Sequence, residues 1–230
     1  MTSAPIRPAA GEPRSQKGRR TRTRLLEAAK TVFERDGFLN ARIGDISETA
    51  GLSHGSFYHY FDSKEQIFRE LAEALEVSVT TMHEPGETAP ADESPIERIR
   101  SGNRHYLEAY RRDAKIMRVI EEVSGYDEDL RAVRVRRWRV FSHKLELSIV
   151  KLQDEGVADK LIEPRYAAEA LGCMVAKFAE MWFGQGGTFE METAVDQLTR
   201  LWTNALGIPT DAADGPAQRD GVKKRLRRAR

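Results

Sequence analysis

Apolar residues recur along this chain at spacings of three and four, and nowhere alternate with period two over the length of a strand. Leu25, Ala28, Ala29, Val32 and Phe33 form one such stripe, which Gly37 stops, so a helix is expected over residues 22 to 36. Ile43, Ile46 and Ala50 mark a short second helix ending at Gly51, and Ser53 is a good N-cap for a third. Ser63 and Gln66 have the spacing of a capping box. They announce a fourth helix from residue 64 carrying Ile67, Phe68, Leu71, Ala72 and Leu75.

The same period returns after a proline-rich, acidic stretch at 83–95, which reads as a loop. Ile99, Tyr106, Leu107 and Tyr110 predict one helix; Ile116, Met117 and Ile120 predict a short one ended by Gly125. A long helix from Asp127 to Gly156 carries Leu130, Val133, Phe141, Leu145, Ile149 and Leu152. Pro164 then opens a helix through Phe183, and Thr188 is the expected cap of a last one reaching Leu206. The fold class is all-α, with an N-terminal helix-turn-helix three-helix unit joined by a connecting helix to a larger helical domain. The expected boundaries are a disordered basic arm over 1–20, a DNA-binding domain over 21–66, an effector-binding and dimerisation domain over 67–207, and a disordered basic tail over 208–230.

The net charge of +1 hides an uneven distribution. Arg14, Lys17, Arg19, Arg20, Arg22 and Arg24 form a block without an acid, and the chain closes on KKRLRRAR. Such blocks bind polyanions or stay solvated. The arm is expected to assist DNA binding, through the minor groove, and the tail to be nonspecific. One cysteine, Cys173, leaves no intramolecular disulfide, and no apolar run approaches a membrane span, so the chain reads as soluble and cytoplasmic, with no membrane partner.

The segment GLSHGSFYHYF at 51–61 decides the function. A helix, a three-residue turn and a second short helix have the spacing of a helix-turn-helix. Phe57 and Phe61, four apart, face inward and staple the short helix onto the first and fourth. His54, Gly55, Tyr58 and His59 are left on another face. Gly55 removes a side chain where the backbone can approach phosphate, Ser53, Ser56 and Tyr58 offer hydroxyls, and the two histidines can donate to base edges. Tyr60 lies between the faces. The five-residue spacing of His54 and His59, without a nearby Cys or carboxylate, argues against a metal site.

In its motifs this region resembles the DNA-binding signature of TetR-type bacterial transcriptional regulators. The carriers are Gly37-Phe38, Asp45-Ile46-Ser47, Ala50-Gly51-Leu52-Ser53, Gly55, Tyr58, Tyr60-Phe61 and Ser63-Lys64-Glu65. The resemblance is dense over about 45 residues. It implies a homodimer that represses from a near-palindromic operator until a small molecule enters the C-terminal domain. It also places Arg42 at the start of helix two, against a phosphate or guanine, and puts Tyr58 and Lys64 on the DNA backbone. Ala41 departs from the Thr common at its position, which leaves Asn40 as the candidate substitute.

Five arginines in nine residues, Arg131, Arg134, Arg136, Arg137 and Arg139, occupy more than one helical face. They read as an ion-paired surface with the acids Glu121, Glu122, Asp127, Glu128 and Asp129. The sharper alternative has one or two of them lining a site for an anionic group. Tyr106, Met117, Trp138, Phe141, Met174, Phe178 and Trp182 are core by composition. In a regulator of this kind they are also the candidate lining of an apolar effector cavity suited to a hydrophobic or acyl-type ligand. The last two helices, about 164–183 and 188–206, have the wide apolar stripes and small residues of a dimer-forming four-helix bundle. No cofactor is called for. An enzyme is disfavoured, since the chain shows no triad, no paired acids and no Gly-rich phosphate loop. The remaining alternative is a constitutive DNA-binding or adaptor protein without an effector.

Overall fold

The computed structural model describes residues 15–80 and 93–209. In chain order the described helices are α1 (Gln16–Asn40), α2 (Ile43–Thr49), α3 (His54–Phe57), α4 (Lys64–Thr80), α5 (Pro95–Arg112), α6 (Ala114–Ser124), α7 (Glu128–Asp154), α8 (Pro164–Ala179) and α9 (Met191–Ala205). No strand occurs among the described residues, so the all-α class holds.

α1 begins at Gln16 rather than near residue 21, because the Ser15 hydroxyl accepts the Gly18 N–H at 3.0 Å and caps the helix there. The part of the expected disordered arm from 16 to 20 is therefore helical; residues 1–14 lie outside the described residues, as do most of the 83–95 loop and the KKRLRRAR tail. Gly37 breaks α1 at φ 71°, a conformation that costs a side chain-bearing residue dearly. The chain then turns through Ala41 and Arg42 into α2.

One compact unit gathers the described residues up to 80 with Glu108–Phe141 and Phe178–Gly187. The expected boundary after residue 66 thus falls inside α4, which belongs wholly with the N-terminal elements. The core of this unit near α1 and α4 is aromatic. Phe33 and Phe68 meet edge to face at 4.8 Å between centroids, and Phe38 lies 4.8 Å from Phe68. Leu25, Val32, Ile46, Phe57, Phe61 and Ile67 are fully buried with Phe33 and Phe68, and Phe38 is half-buried beside them. Burying an aromatic ring contributes about 2 to 3 kcal/mol, which is why a domain this small folds around four fully buried phenylalanines.

α4 starts as its capping box predicts. The Ser63 hydroxyl accepts the Gln66 N–H at 3.1 Å, and the Gln66 side chain reaches back one residue further than expected, to the Asp62 N–H at 2.5 Å. From there α4 is tied to α7 by charge. Arg134 pairs with Glu76 at 2.9 Å, Arg137 donates to Glu73, and Arg69 pairs with Asp127 and Asp129 at 3.4 and 3.1 Å. Three of the five arginines in the run, Arg134, Arg136 and Arg137, are therefore ion-paired, with Glu73 and Glu76 of α4 rather than with the acids expected. Arg131 instead donates to the Ser124 and Gly125 carbonyls at 3.1 and 2.9 Å and closes the C-terminal end of α6. Lys30 of α1 reaches Asp113, at the α5–α6 junction, at 2.6 Å.

The second unit comprises the described residues 93–107, Ser142–Lys177 and the described residues from Thr188. In it Arg104 forms a two-pronged pair with Glu192 at 2.5 and 2.6 Å, and Asn103 donates to Thr199 in the interior at 3.2 Å. α9 is capped by Glu190, not Thr188. The Glu190 carboxylate accepts the Glu192 and Thr193 N–H groups at 3.0 and 2.7 Å, and these bonds hold its pKa below the usual carboxylate range.

Candidate nucleic-acid interface

α3 is only four residues long, followed by a turn over 58–60, so its position depends on side-chain anchors rather than on its own hydrogen bonds. Two anchors are Phe57 and Phe61, both fully buried with ring centroids 5.7 Å apart. The other two come from α1. Arg24 donates to the Ala50 carbonyl beside Gly51, whose φ of 65° makes the turn. Arg22 lies 4.8 Å over the Phe61 ring and pairs with Glu70 of α4. The turn before α3 and Phe61, at the end of the turn that follows it, are therefore each pinned by an α1 guanidinium. Both arginines read from sequence as part of a DNA-seeking arm; their partners lie 26 and 48 residues away, beyond the reach of local spacing.

With the inner face spent, the other side chains of this segment point outward. His54, Tyr58 and His59 are exposed, and the His54 and Tyr58 rings meet edge to face at 5.5 Å. Tyr60 is half-buried. Nothing lies within 4 Å of where a Gly55 Cβ would sit, so packing within the chain does not call for a glycine there. The Ser53 hydroxyl accepts the Ser56 N–H at 3.3 Å and shares a 2.7 Å hydrogen bond with the Ser56 hydroxyl. These two hydroxyls are first of all a cap. A four-residue helix also adds little dipole of its own, which weakens the helix-terminus argument for phosphate binding at Gly55.

Arg42 is exposed at the head of α2 and makes no capping bond. Asn40 does not substitute for the missing Thr hydroxyl: its amide donates to the Asp36 carbonyl at 3.3 Å, on the far side of Gly37. Lys64 departs most from expectation. Its ammonium donates to the carbonyls of Phe38, Leu39 and Ala41 at 2.8, 3.2 and 3.1 Å and sits 4.7 Å over the Phe38 ring. Three acceptors match its three ammonium protons, so Lys64 closes the end of α1.

The model of the bacterial regulatory proteins of the tetR family matches residues 25–71, and that of the tetracyclin repressor-like C-terminal domain matches residues 92–206, half of the chain. This chain belongs to the TetR family. Its α1–α4 segment carries the DNA-binding domain of TetR-family transcriptional regulators. It is 34% identical over 128 residues to the regulator BetI of Vibrio atlanticus, covering 53% of this chain and 62% of BetI. It is 41% identical over 64 residues to the transcriptional repressor KstR2 of Rhodococcus jostii, covering 28% of this chain and 30% of that one. The chain thus spans less than two thirds of the length of these curated relatives. GusR of Salmonella enterica shares the fold with a TM-score of 0.67 at 18% identity, over 85% of this chain and all of GusR.

The seven candidate effector residues of this TetR-family chain are distributed over both units. Met117, Phe141 and Trp182 are buried, and Trp138 and Phe178 half-buried, all in the first unit; Trp138 lies 5.5 Å from Phe141 and Phe178 5.7 Å from Trp182. Tyr106 and Met174 are half-buried in the second unit. A cleft of about 490 Å³ is lined instead by Arg118, Glu121, Gly184, Gln185 and Gly186. It borders a π-helical turn, Glu180–Gly184, that continues α8 and stacks Trp182 on Phe183 at 4.3 Å. Its wall is polar. Hydrophobic periodicity carries no signal for such a turn, although the glycines 184, 186 and 187 that follow two large rings hint at a break.

Among the described residues no group of three or more His, Cys, Asp or Glu could hold a metal ion, and no helix is long and apolar enough to cross a membrane.

Proposed function

We propose that this chain is a cytoplasmic, ligand-responsive repressor that binds a near-palindromic operator as a homodimer. The observation that carries the reading is the division of the 54–61 segment. Phe57 and Phe61 are wholly internal, while His54, Tyr58 and His59 stand exposed on a short helix pinned at both ends by Arg24 and Arg22. Arg42, Tyr58 and His59 are the first candidates for operator contact; Gly55 leaves room for the DNA backbone, and Ser53, Ser56 and Tyr60 are secondary. One short helix reads few bases, so two copies spaced by roughly 34 to 36 Å are needed to read successive major grooves.

The last two helices supply the proposed dimer contact. Tyr166, Ala170 and Cys173 are exposed along one face of α8, and Gln197, Leu201 and Asn204 along one face of α9. Small residues among them permit the close approach of a four-helix bundle. Repression would end when a small hydrophobic or acyl-type molecule binds among the candidates Tyr106, Met117, Trp138, Phe141, Met174, Phe178 and Trp182 and favours a conformation whose recognition helices are wrongly spaced. The ligand need only bind that state better than the DNA-competent one. The ion pairs from α4 to Asp127, Arg134 and Arg137 make α4 and α7 move together, which is what a change on one would need in order to reach the other.

The test is a gel shift with the DNA upstream of the gene. A salt-sensitive, sequence-specific complex, weakened by Tyr58→Ala or His59→Ala and dissolved by a ligand found in a thermal-shift screen of hydrophobic acids and acyl thioesters, is expected. No specific complex would refute operator binding, and a ligand that binds without changing operator affinity would favour the constitutive alternative.

A further inference from the structure

The recognition segment is not the only cationic or DNA-directed surface of the first unit. Of the six basic residues between 14 and 24, Arg22 and Arg24 are consumed by Glu70, the Phe61 ring and the Ala50 carbonyl. Lys17, Arg19 and Arg20 are different. All three are exposed, and their side chains make no ion pair or hydrogen bond with a described residue.

Helical register fixes where they lie. Residues 17, 20 and 24 share one face of α1, so Lys17 and Arg20 continue the line that ends with Arg24 at the turn before α3. They stand about 10 Å and about 6 Å along the helix axis from it. Arg19 is three residues before Arg22 and so neighbours it on the side that covers Phe61, just after α3. The free cations therefore extend the two lines along which α1 grips the two ends of the recognition segment.

The helix itself gives no reason for them. The first turn of α1 contains no acidic residue, and cations at a helix N-terminus are disfavoured by the helix dipole. A polyanion alongside would reverse that penalty. The segment precedes the family match, which begins at residue 25.

On the reading of α3 given above, we infer that Lys17, Arg19 and Arg20 form a second DNA-contact surface, which holds backbone phosphates flanking each half-site without reading bases. An α-helix of about 10 Å diameter does not enter the minor groove, about 6 Å wide. The minor-groove insertion expected of a flexible arm is thus replaced, for residues 16 to 24, by a rigid strip of phosphate contacts. Its positions are set before binding, so little ordering entropy opposes it.

The experiment compares the full chain with its Lys17→Gln/Arg19→Gln/Arg20→Gln variant by fluorescence anisotropy. The probes are a duplex of the upstream region and a scrambled duplex of equal length, in 50 to 200 mM KCl. Each lost phosphate contact lowers the slope of log K against log salt by about 0.9, so the variant should lose about 2 to 3 in slope per protomer. Both duplexes should weaken by the same factor, tenfold or more at 100 mM salt, with their affinity ratio unchanged. An unchanged slope, or a loss confined to the specific duplex, would overturn the inference. An Arg19→Lys/Arg20→Lys variant should keep the parent slope; losing it would show that the effect comes from a damaged helix and would equally overturn the inference. If the parent chain does not distinguish the two duplexes, the reading of α3 fails, and the slope on the scrambled duplex still decides the role of α1.

Discussion

The ammonium of Lys64 lies 4.7 Å over the Phe38 ring and donates to the Phe38 carbonyl at 2.8 Å. With two further carbonyls it joins the first turn of α4 to the end of α1. Lys64→Gln should therefore lower stability, by about 1 to 3 kcal/mol for the loss of charged hydrogen bonds, read from denaturant midpoints. It should leave the salt slope of DNA binding unchanged. A slope lower by about one with stability intact would instead make Lys64 a phosphate contact.

Ser47 lies on the inner face of α2, next to the fully buried Ile46. Its hydroxyl is buried without a hydrogen-bond partner. Ser47→Ala removes that desolvation cost and should raise stability by about 1 kcal/mol, seen as a higher urea midpoint at constant m-value. A fall in stability would mean that the hydroxyl has a partner in solution.

Asp127 caps α7 through the Leu130 N–H at 2.8 Å and pairs with Arg69. Burial pushes its carboxyl up, but the backbone N–H groups and Arg69 together hold it below the usual carboxylate range. A depressed folded pKa means that its stabilisation is complete above the unfolded value, about 3.9, and is lost as pH falls through the lower folded value. Asp127→Asn should thus be less stable than the parent at pH 7, with the difference vanishing in acid. A difference independent of pH would assign the effect to packing.

Leu201 is exposed on α9 in the proposed dimer face. Leu201→Lys would place a charge on each side of a two-fold contact, and sedimentation should show a shift from dimer to monomer at micromolar protein. Unchanged mass would move the interface elsewhere.

What the sequence disclosed depended on the range of the interactions involved. Phe57 and Phe61 could be assigned inside and Tyr58 and His59 outside because a four-residue spacing on a helix is local. The helix starts at Ser53 and Ser63 were legible for the same reason, as cap and first turn lie within three residues of each other. The internal partners of Arg22, Arg24 and Lys64, namely Glu70, Ala50 and Phe38, were not legible because they are 26 or more residues distant, and a cation's destination is set by the fold. The α9 cap moved from Thr188 to Glu190 since a longer carboxylate can reach two N–H groups at once. Which unit each effector candidate belongs to was not legible, because aromatic composition alone does not say where along the fold a ring packs.

Hydroxyl-radical footprinting of the upstream DNA tests the central claim, that paired α3 helices read an operator. Two protected windows are expected on one face of the duplex, centred about 10 base pairs or a multiple apart. Both should vanish with Tyr58→Ala/His59→Ala at an unchanged denaturation midpoint. Uniform protection along the fragment, or windows that survive the double substitution, would contradict it.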